Sequence, residues 1–161
     1  MDRRTSRPLG IALALVLATA LLATAQDLVR VKRVVDGDTI ILESGERVRL
    51  LGVNTPETKH RTKQAEAFGK EAAEFTKRMV EGKLVRLEFD PNAIKQDKKS
   101  RTLAYVFLQD GTFLNAEIIR QGYGFAVRNS PPLRYEHDFI QLELNAKKHR
   151  RGLWRSAPKG E

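Results

Sequence analysis

From Leu28 onward the chain alternates short apolar stretches with tight-turn pairs. Leu28 to Val35 is valine-rich and loosely alternating, which predicts a strand. Asp36-Gly37 is a turn pair, and Thr39 to Leu42 resumes as a second strand. Ser44-Gly45 turns the chain again, and Arg47 to Val53 predicts a third strand. Three short strands joined by tight turns form a twisted meander. Lys59 to Lys63 reads as a basic loop. A helix then fits Gln64 to Val80, with Phe68, Ala72, Phe75 and Met79 on one face and Gly82 closing it.

The second half continues in the same style. Lys83 to Phe89 predicts a fourth strand, Pro91 to Ser100 a polar mobile loop, and Thr102 to Leu108 a fifth strand ending at Asp110-Gly111. Asn115 is placed to cap a short helix through Gln121, closed by Gly122. Ser130-Pro131-Pro132 is expected to start a last helix, with Tyr135, Phe139, Leu142 and Ala146 on one face and a basic last turn to Arg151. Trp154 is expected to fold back on the core. There is no internal repeat and no linker. The pattern predicts an α+β domain, mainly β: a five-stranded antiparallel barrel of the OB type with about three packed helices.

The first 25 residues have a different character. Arg3, Arg4 and Arg7 precede an apolar run from Leu9 to Leu22, and Ala23-Thr24-Ala25 follows. A basic start, a short apolar run and an A-x-A site predict a secretory signal peptide over residues 1–25 and a single domain over 26–161. The rival is an uncleaved membrane anchor, but the run falls short of the roughly 20 residues that span a bilayer. The expected location is therefore exported, either periplasmic or secreted.

Charge narrows the partners. The formal net charge is +9, and it is +7 without Asp2, Arg3, Arg4 and Arg7. An exported, strongly basic domain attracts polyanions, and nucleic acid is the obvious one. The chain has no cysteine, which excludes disulfides, a thiol nucleophile and a cysteine metal site. His60, His137 and His149 are scattered and form no catalytic set.

Five positions could carry chemistry. Asp36 and Asp38 set two carboxylates beside a backbone reversal, and such oxygen ligands suit a hard cation such as Ca²⁺. Arg49 lies in a strand apolar on both faces, so it should be partly desolvated and need an anionic partner, either in a structural ion pair or at a substrate site. Glu57 follows the stiffening Pro56 and is a candidate general base. Arg101 opens the fifth strand after a lysine-rich loop. Together a base, two guanidiniums and a cation suit phosphodiester hydrolysis, whose transition state gathers charge on the phosphoryl oxygens.

Several ordered strings resemble the staphylococcal nuclease (thermonuclease) family. They are Asp36-Gly37-Asp38-Thr39, the run from Arg49 to His60, Phe75 to Glu81, Asp97-Lys98, Arg101, Leu103-Ala104-Tyr105 and Arg120-Gln121-Gly122. They stretch over about Leu28 to Trp154. The resemblance implies an OB-fold, Ca²⁺-dependent endonuclease acting on DNA and RNA and leaving 3′-phosphate ends, with no obligate protein partner and a monomeric state. It implies Glu57 as general base and Arg49 and Arg101 as phosphate clamps. It also implies Asp38 as a metal ligand, Thr55 as the donor of a backbone carbonyl to the metal, and Asp36 nearby.

Three departures from the family pattern carry expectations. Asn54 stands where the family has a second aspartate ligand, so metal affinity should be weaker and metal preference changed. Lys99 replaces a tyrosine, and Arg128 falls near where tyrosines flank the base. With Lys98, these two make the expected nucleic-acid contacts, through phosphate more than stacking. The alternatives are an OB-fold nucleic-acid-binding module without catalysis, and an envelope domain that uses its basic face on anionic polymers or lipids.

Overall fold

The structure, a computed structural model, describes residues 27–58 and 63–156. The expected signal peptide and the loop residues 59–62 lie outside these. In chain order the elements are β1 (Leu28–Asp36), β2 (Thr39–Leu42), β3 (Arg47–Leu50), β4 (Val53–Asn54), α1 (Lys63–Val80), β5 (Leu84–Glu88), β6 (Thr102–Leu108), α2 (Leu114–Arg120), β7 (Phe125–Ala126) and α3 (Glu136–Lys148), followed by a 3₁₀ turn at Gly152–Ser156.

Five strands close a barrel in the order β1-β2-β3-β6-β5, and β4 pairs with β7 in a separate small ribbon. The barrel and its three helices match the OB-type α+β architecture read from the sequence. One ladder departs from the antiparallel expectation. β3 runs parallel to β6, with Val48 opposite Thr102 and Arg49 opposite Leu103. The first three strands form the expected meander: Asp36 pairs with Thr39 across the first turn, and Thr39 with Arg49 across the second ladder. The buried core gathers Val31, Ile40, Val48, Leu50, Val85 and Ala104 from the strands with Val80, Ile118, Ile119 and Phe139 from the helices.

The predicted third strand is shorter than its apolar run. It stops at Leu50, the chain turns at Leu51-Gly52, and β4 begins at Val53. Gly52 takes a φ of 75° and lies against the Phe139 ring, so a side chain there would meet both backbone strain and the ring. This corner swings Asn54 and the segment to Glu57 away from β3.

Two further expectations fail. Asn115 does not cap α2. Phe113 occupies the N-cap position without a side-chain bond, and Asn115 is fully buried at the second helical position. Its amide accepts a hydrogen bond from the Val106 N–H and donates one to the Leu51 carbonyl, both at 2.9 Å. It therefore satisfies backbone groups that the break after β3 and the edge of β6 leave open. The last helix begins at Glu136, not at the prolines. The preceding segment is held out of the helix by distant partners: Asn92 donates to the Pro132 carbonyl, and the Arg134 N–H donates to Asp90.

The segment from Pro91 to Ser100 is knitted to the start of β6. Leu103 N–H donates to the Lys95 carbonyl, Asp97 N–H to the Arg101 carbonyl, and Gln96 bridges to Thr102. Trp154 folds back as expected, edge-on to Phe125 at 5.4 Å.

Candidate active site

The β1–β2 turn, the corner after β3 and the loop before β6 converge on one polar cavity of about 180 Å³. Asp36, Asp38 and Thr39 come from the first, Arg49, Asn54, Thr55 and Glu57 from the second, and Lys99 and Arg101 from the third. The sequence-derived catalytic and metal residues are thus brought together, and Lys99 joins them. Lys98 and Arg128 are both exposed and lie outside this lining.

Asp38 organises the cavity. Its side chain is 8% exposed and forms an ion pair with Arg49 at 3.1 Å, the anionic partner the sequence required. One carboxylate oxygen accepts from the Thr55 N–H at 2.8 Å, the other from the Thr39 hydroxyl at 3.0 Å. These bonds fasten the segment after β4 to the first turn. Arg49 reaches further, donating to the Val53 carbonyl at 2.7 Å and to the Asn54 side-chain oxygen at 3.0 Å. Burial pushes its guanidinium below the ordinary value; Asp38 opposes that shift and nearby Arg101 adds to it. It remains charged at neutral pH, as guanidiniums do in proteins.

Glu57 is exposed on a segment with two anchors. The Thr58 hydroxyl donates to Asp36 at 2.7 Å. Gly69 of α1 lies directly against the Glu57 carbonyl, where a side chain would collide with the backbone. Gly37 is also crowded, against the side chains of Ala72 and Thr55, and Thr76 of α1 donates to its carbonyl at 2.7 Å. α1 therefore braces both the acidic turn and the base-bearing segment.

Arg101 has a support that the sequence reading did not assign. Asp97 pairs with its guanidinium at 2.6 Å, and the same carboxylate accepts from the backbone N–H groups of Lys99 and Arg101. Burial raises the Asp97 pKa, but the hydrogen bonds from Arg101 and Lys99 and the Arg101 charge together outweigh it and hold it down at about 2. The folded value lies below the ordinary one near 3.8. The pair's stabilisation is therefore complete above that range and lost as pH falls through about 2. The spacing of an acid four residues before an arginine was the available signal. Ser100, between the two cations, takes a φ of 55°, a strained turn that lets Lys99 and Arg101 both line the cavity. Asp97→Asn keeps an acceptor for the loop amides but removes the charged pair. It should lower kcat on a nucleic-acid strand about tenfold, because Arg101 is no longer held for the transition state, and lower the thermal midpoint as well, because hydrogen bonds to charged groups are worth about 1.5–3 kcal/mol; steady-state kinetics and calorimetry check the two together.

The residues fit a hard cation. Every donor in the cavity that is not a cation is an oxygen. Among the described residues, the Thr55 hydroxyl is buried without a hydrogen-bond partner. A carboxylate oxygen has two lone-pair sites. One Asp38 oxygen takes two bonds and is full, whereas the other takes one, and the Asn54 oxygen also takes one. Both keep room for a cation while Arg49 stays in place. Among the described residues no three His, Cys, Asp or Glu side chains converge as a metal cluster, so such a site depends on mixed amide, carbonyl and carboxylate oxygens.

The staphylococcal nuclease homologue family model matches residues 47–156, which contain both arginines and Glu57. The chain belongs to the staphylococcal nuclease family. Family membership makes it a nuclease, a hydrolase whose substrates are nucleic acids. It is 41% identical over 127 residues to the thermonuclease of Staphylococcus intermedius, covering 77% of this chain and 74% of that one. To the thermonuclease of Staphylococcus hyicus it is 37% identical over 128 residues, 78% and 74% of the two chains. Endonuclease YncB of Bacillus subtilis is 33% identical over 130 residues, 78% of this chain and 61% of that protein.

Proposed function

We propose that this nuclease is an exported, Ca²⁺-dependent endonuclease that cuts DNA and RNA by direct attack of water and leaves 3′-phosphate ends. The observation that carries the reading is the single cavity in which Glu57, Arg49, Arg101 and Asp38 meet. The reading assigns every role to residues of this one chain, so a monomeric enzyme suffices for it. Export rests on the signal-peptide pattern of residues 1–25.

Glu57 takes a proton from the attacking water, which is otherwise a poor nucleophile. Arg49 and Arg101 bracket the phosphate and stabilise charge as it gathers on the phosphoryl oxygens. Asp38 and Asp97 hold those two guanidiniums in place before substrate arrives, so little ordering remains at the moment of reaction. Asp38, Asn54 and the Thr55 carbonyl would hold Ca²⁺, with Asp36 nearby. Bound there, a divalent cation supplies further charge neutralisation for the phosphate. The absence of a second aspartate at Asn54 leaves that ion less tightly held.

Digestion of plasmid DNA and of RNA, with EDTA and then with Ca²⁺ restored, tests the reading. Hydrolysis should vanish with chelation, return with Ca²⁺, and give products that a polymerase extends only after phosphatase treatment. Full cutting in EDTA would refute Ca²⁺ dependence. Strands bound but uncut under every condition would favour the non-catalytic binding module.

A further inference from the structure

The chain contains seven Phe, three Tyr and one Trp, and all of them fall within the described residues. Nearly every ring is committed elsewhere. Tyr105, Phe107, Phe113, Tyr135 and Phe139 form one aromatic cluster. Phe75 stacks on Tyr123 at 4.6 Å, and Phe125 meets Trp154. Phe68 shares the inward face of α1 with the fully buried Ala72. Phe89 is 46% exposed, beside Arg86 and Val29 in a separate surface hollow.

None of these rings lines the active-site cavity. All of its lining residues are charged or polar. Its volume of about 180 Å³ lies below the roughly 300–1,000 Å³ that accepts a drug-sized ligand. That is room for a phosphodiester group but not for a whole nucleoside. Bases are held chiefly by stacking on aromatic side chains, and this cavity offers carboxylates, hydroxyls, an ammonium and two guanidiniums already paired with Asp38 and Asp97 instead. Phosphate oxygens match that set.

We infer that the substrate class is the phosphodiester backbone itself, so that this chain hydrolyses strands from which the bases have been removed as readily as intact ones. The inference rests on the nuclease reading above and specifies what that site grips. The chemistry is unchanged by loss of the base. A water oxygen bonds to phosphorus, one phosphorus–oxygen ester bond breaks, the water proton passes to Glu57, and the departing oxygen takes up a proton and leaves as an alcohol.

The test uses the purified protein with Ca²⁺ and two end-labelled single strands. One is an ordinary oligodeoxynucleotide. The other carries an internal run of tetrahydrofuran residues, which lack bases and resist spontaneous strand scission. The run should exceed roughly 16 residues, the upper site size of one OB barrel, so that flanking bases cannot supply the contact. Cuts within the run should occur at rates within about threefold of those in the ordinary strand. Dependence on a stacked base would slow them roughly 5- to 150-fold, and a deficit of that size would overturn the inference. If the ordinary strand is also uncut, it is the nuclease reading that fails.

Discussion

Replacing Glu57 with glutamine is expected to lower the hydrolysis rate by about 10²–10⁴, the usual contribution of a positioned general base. Glutamine keeps the size and polarity of the side chain and removes only its ability to take a proton. Glu57 is exposed, and substitutions at such positions normally change stability by no more than about 0.5 kcal/mol. A thousandfold rate loss corresponds to about 4 kcal/mol of barrier, far beyond what lost folding could explain. The measurement is single-turnover cleavage of a labelled strand, with strand affinity and thermal midpoint recorded alongside. Near-normal cleavage by the Glu57→Gln protein would remove Glu57 from the mechanism. Reduced cleavage accompanied by equally reduced affinity would make it a binding residue.

Gly69→Ala should be nearly as damaging, against what helix propensity alone suggests. In the interior of a helix, alanine is favoured over glycine by about 1 kcal/mol. At this position the added methyl would lie 2.9 Å from the Thr58 nitrogen and closer still to the Glu57 carbonyl. Those neighbours are backbone and cannot rotate away. Overpacking of this kind costs about 1–3 kcal/mol, which offsets the propensity gain and leaves the protein modestly destabilised. The larger effect is on activity. Either α1 moves outward or the Glu57 segment shifts, and a displacement near 1 Å can cost about 100-fold in rate. Calorimetry and kcat of the Gly69→Ala enzyme check this together. A raised thermal midpoint with full activity would show that α1 does not brace the base.

The sequence reveals the fold wherever local pattern and tertiary environment agree. The inward face of α1 is visible from the spacing of Phe68, Ala72, Phe75 and Met79, and the meander from its turn pairs. The need of Arg49 for an anion is visible because a cation in a doubly apolar strand has no other solution, and Asp38 supplies it. The break after Leu50 is hidden. Leu51, Gly52 and Val53 continue the apolar run without polar punctuation, and only the approach of Phe139 explains the corner. Asn115 is misread for a related reason: its position resembles a cap, but its partners, Leu51 and Val106, come from distant segments that only the closed barrel brings near. The delayed start of α3 likewise depends on Asn92 and Asp90, more than forty residues upstream. In the site, the residues named from the sequence converge on one cavity, but most of what supports them was not visible. Thr58, Thr76 and the two crowded glycines act through contacts that no local pattern announces, whereas Asp97 was signalled only by its spacing from Arg101.

The parallel ladder between β3 and β6 bears on when activity arises during the life of the chain. Arg49 stands opposite Leu103, 54 positions away, and Arg101 lies just before that contact. Such pairings close late, because a long intervening loop must be ordered before the contact repays it. The base and the first arginine belong to the early-made half, and the second arginine belongs to the late-made half. A nascent or extended chain therefore carries every group of the cutting machinery and no cutting site. The cutting site is complete only when the barrel shuts, because Arg49 and Arg101 are brought to one cavity across that ladder.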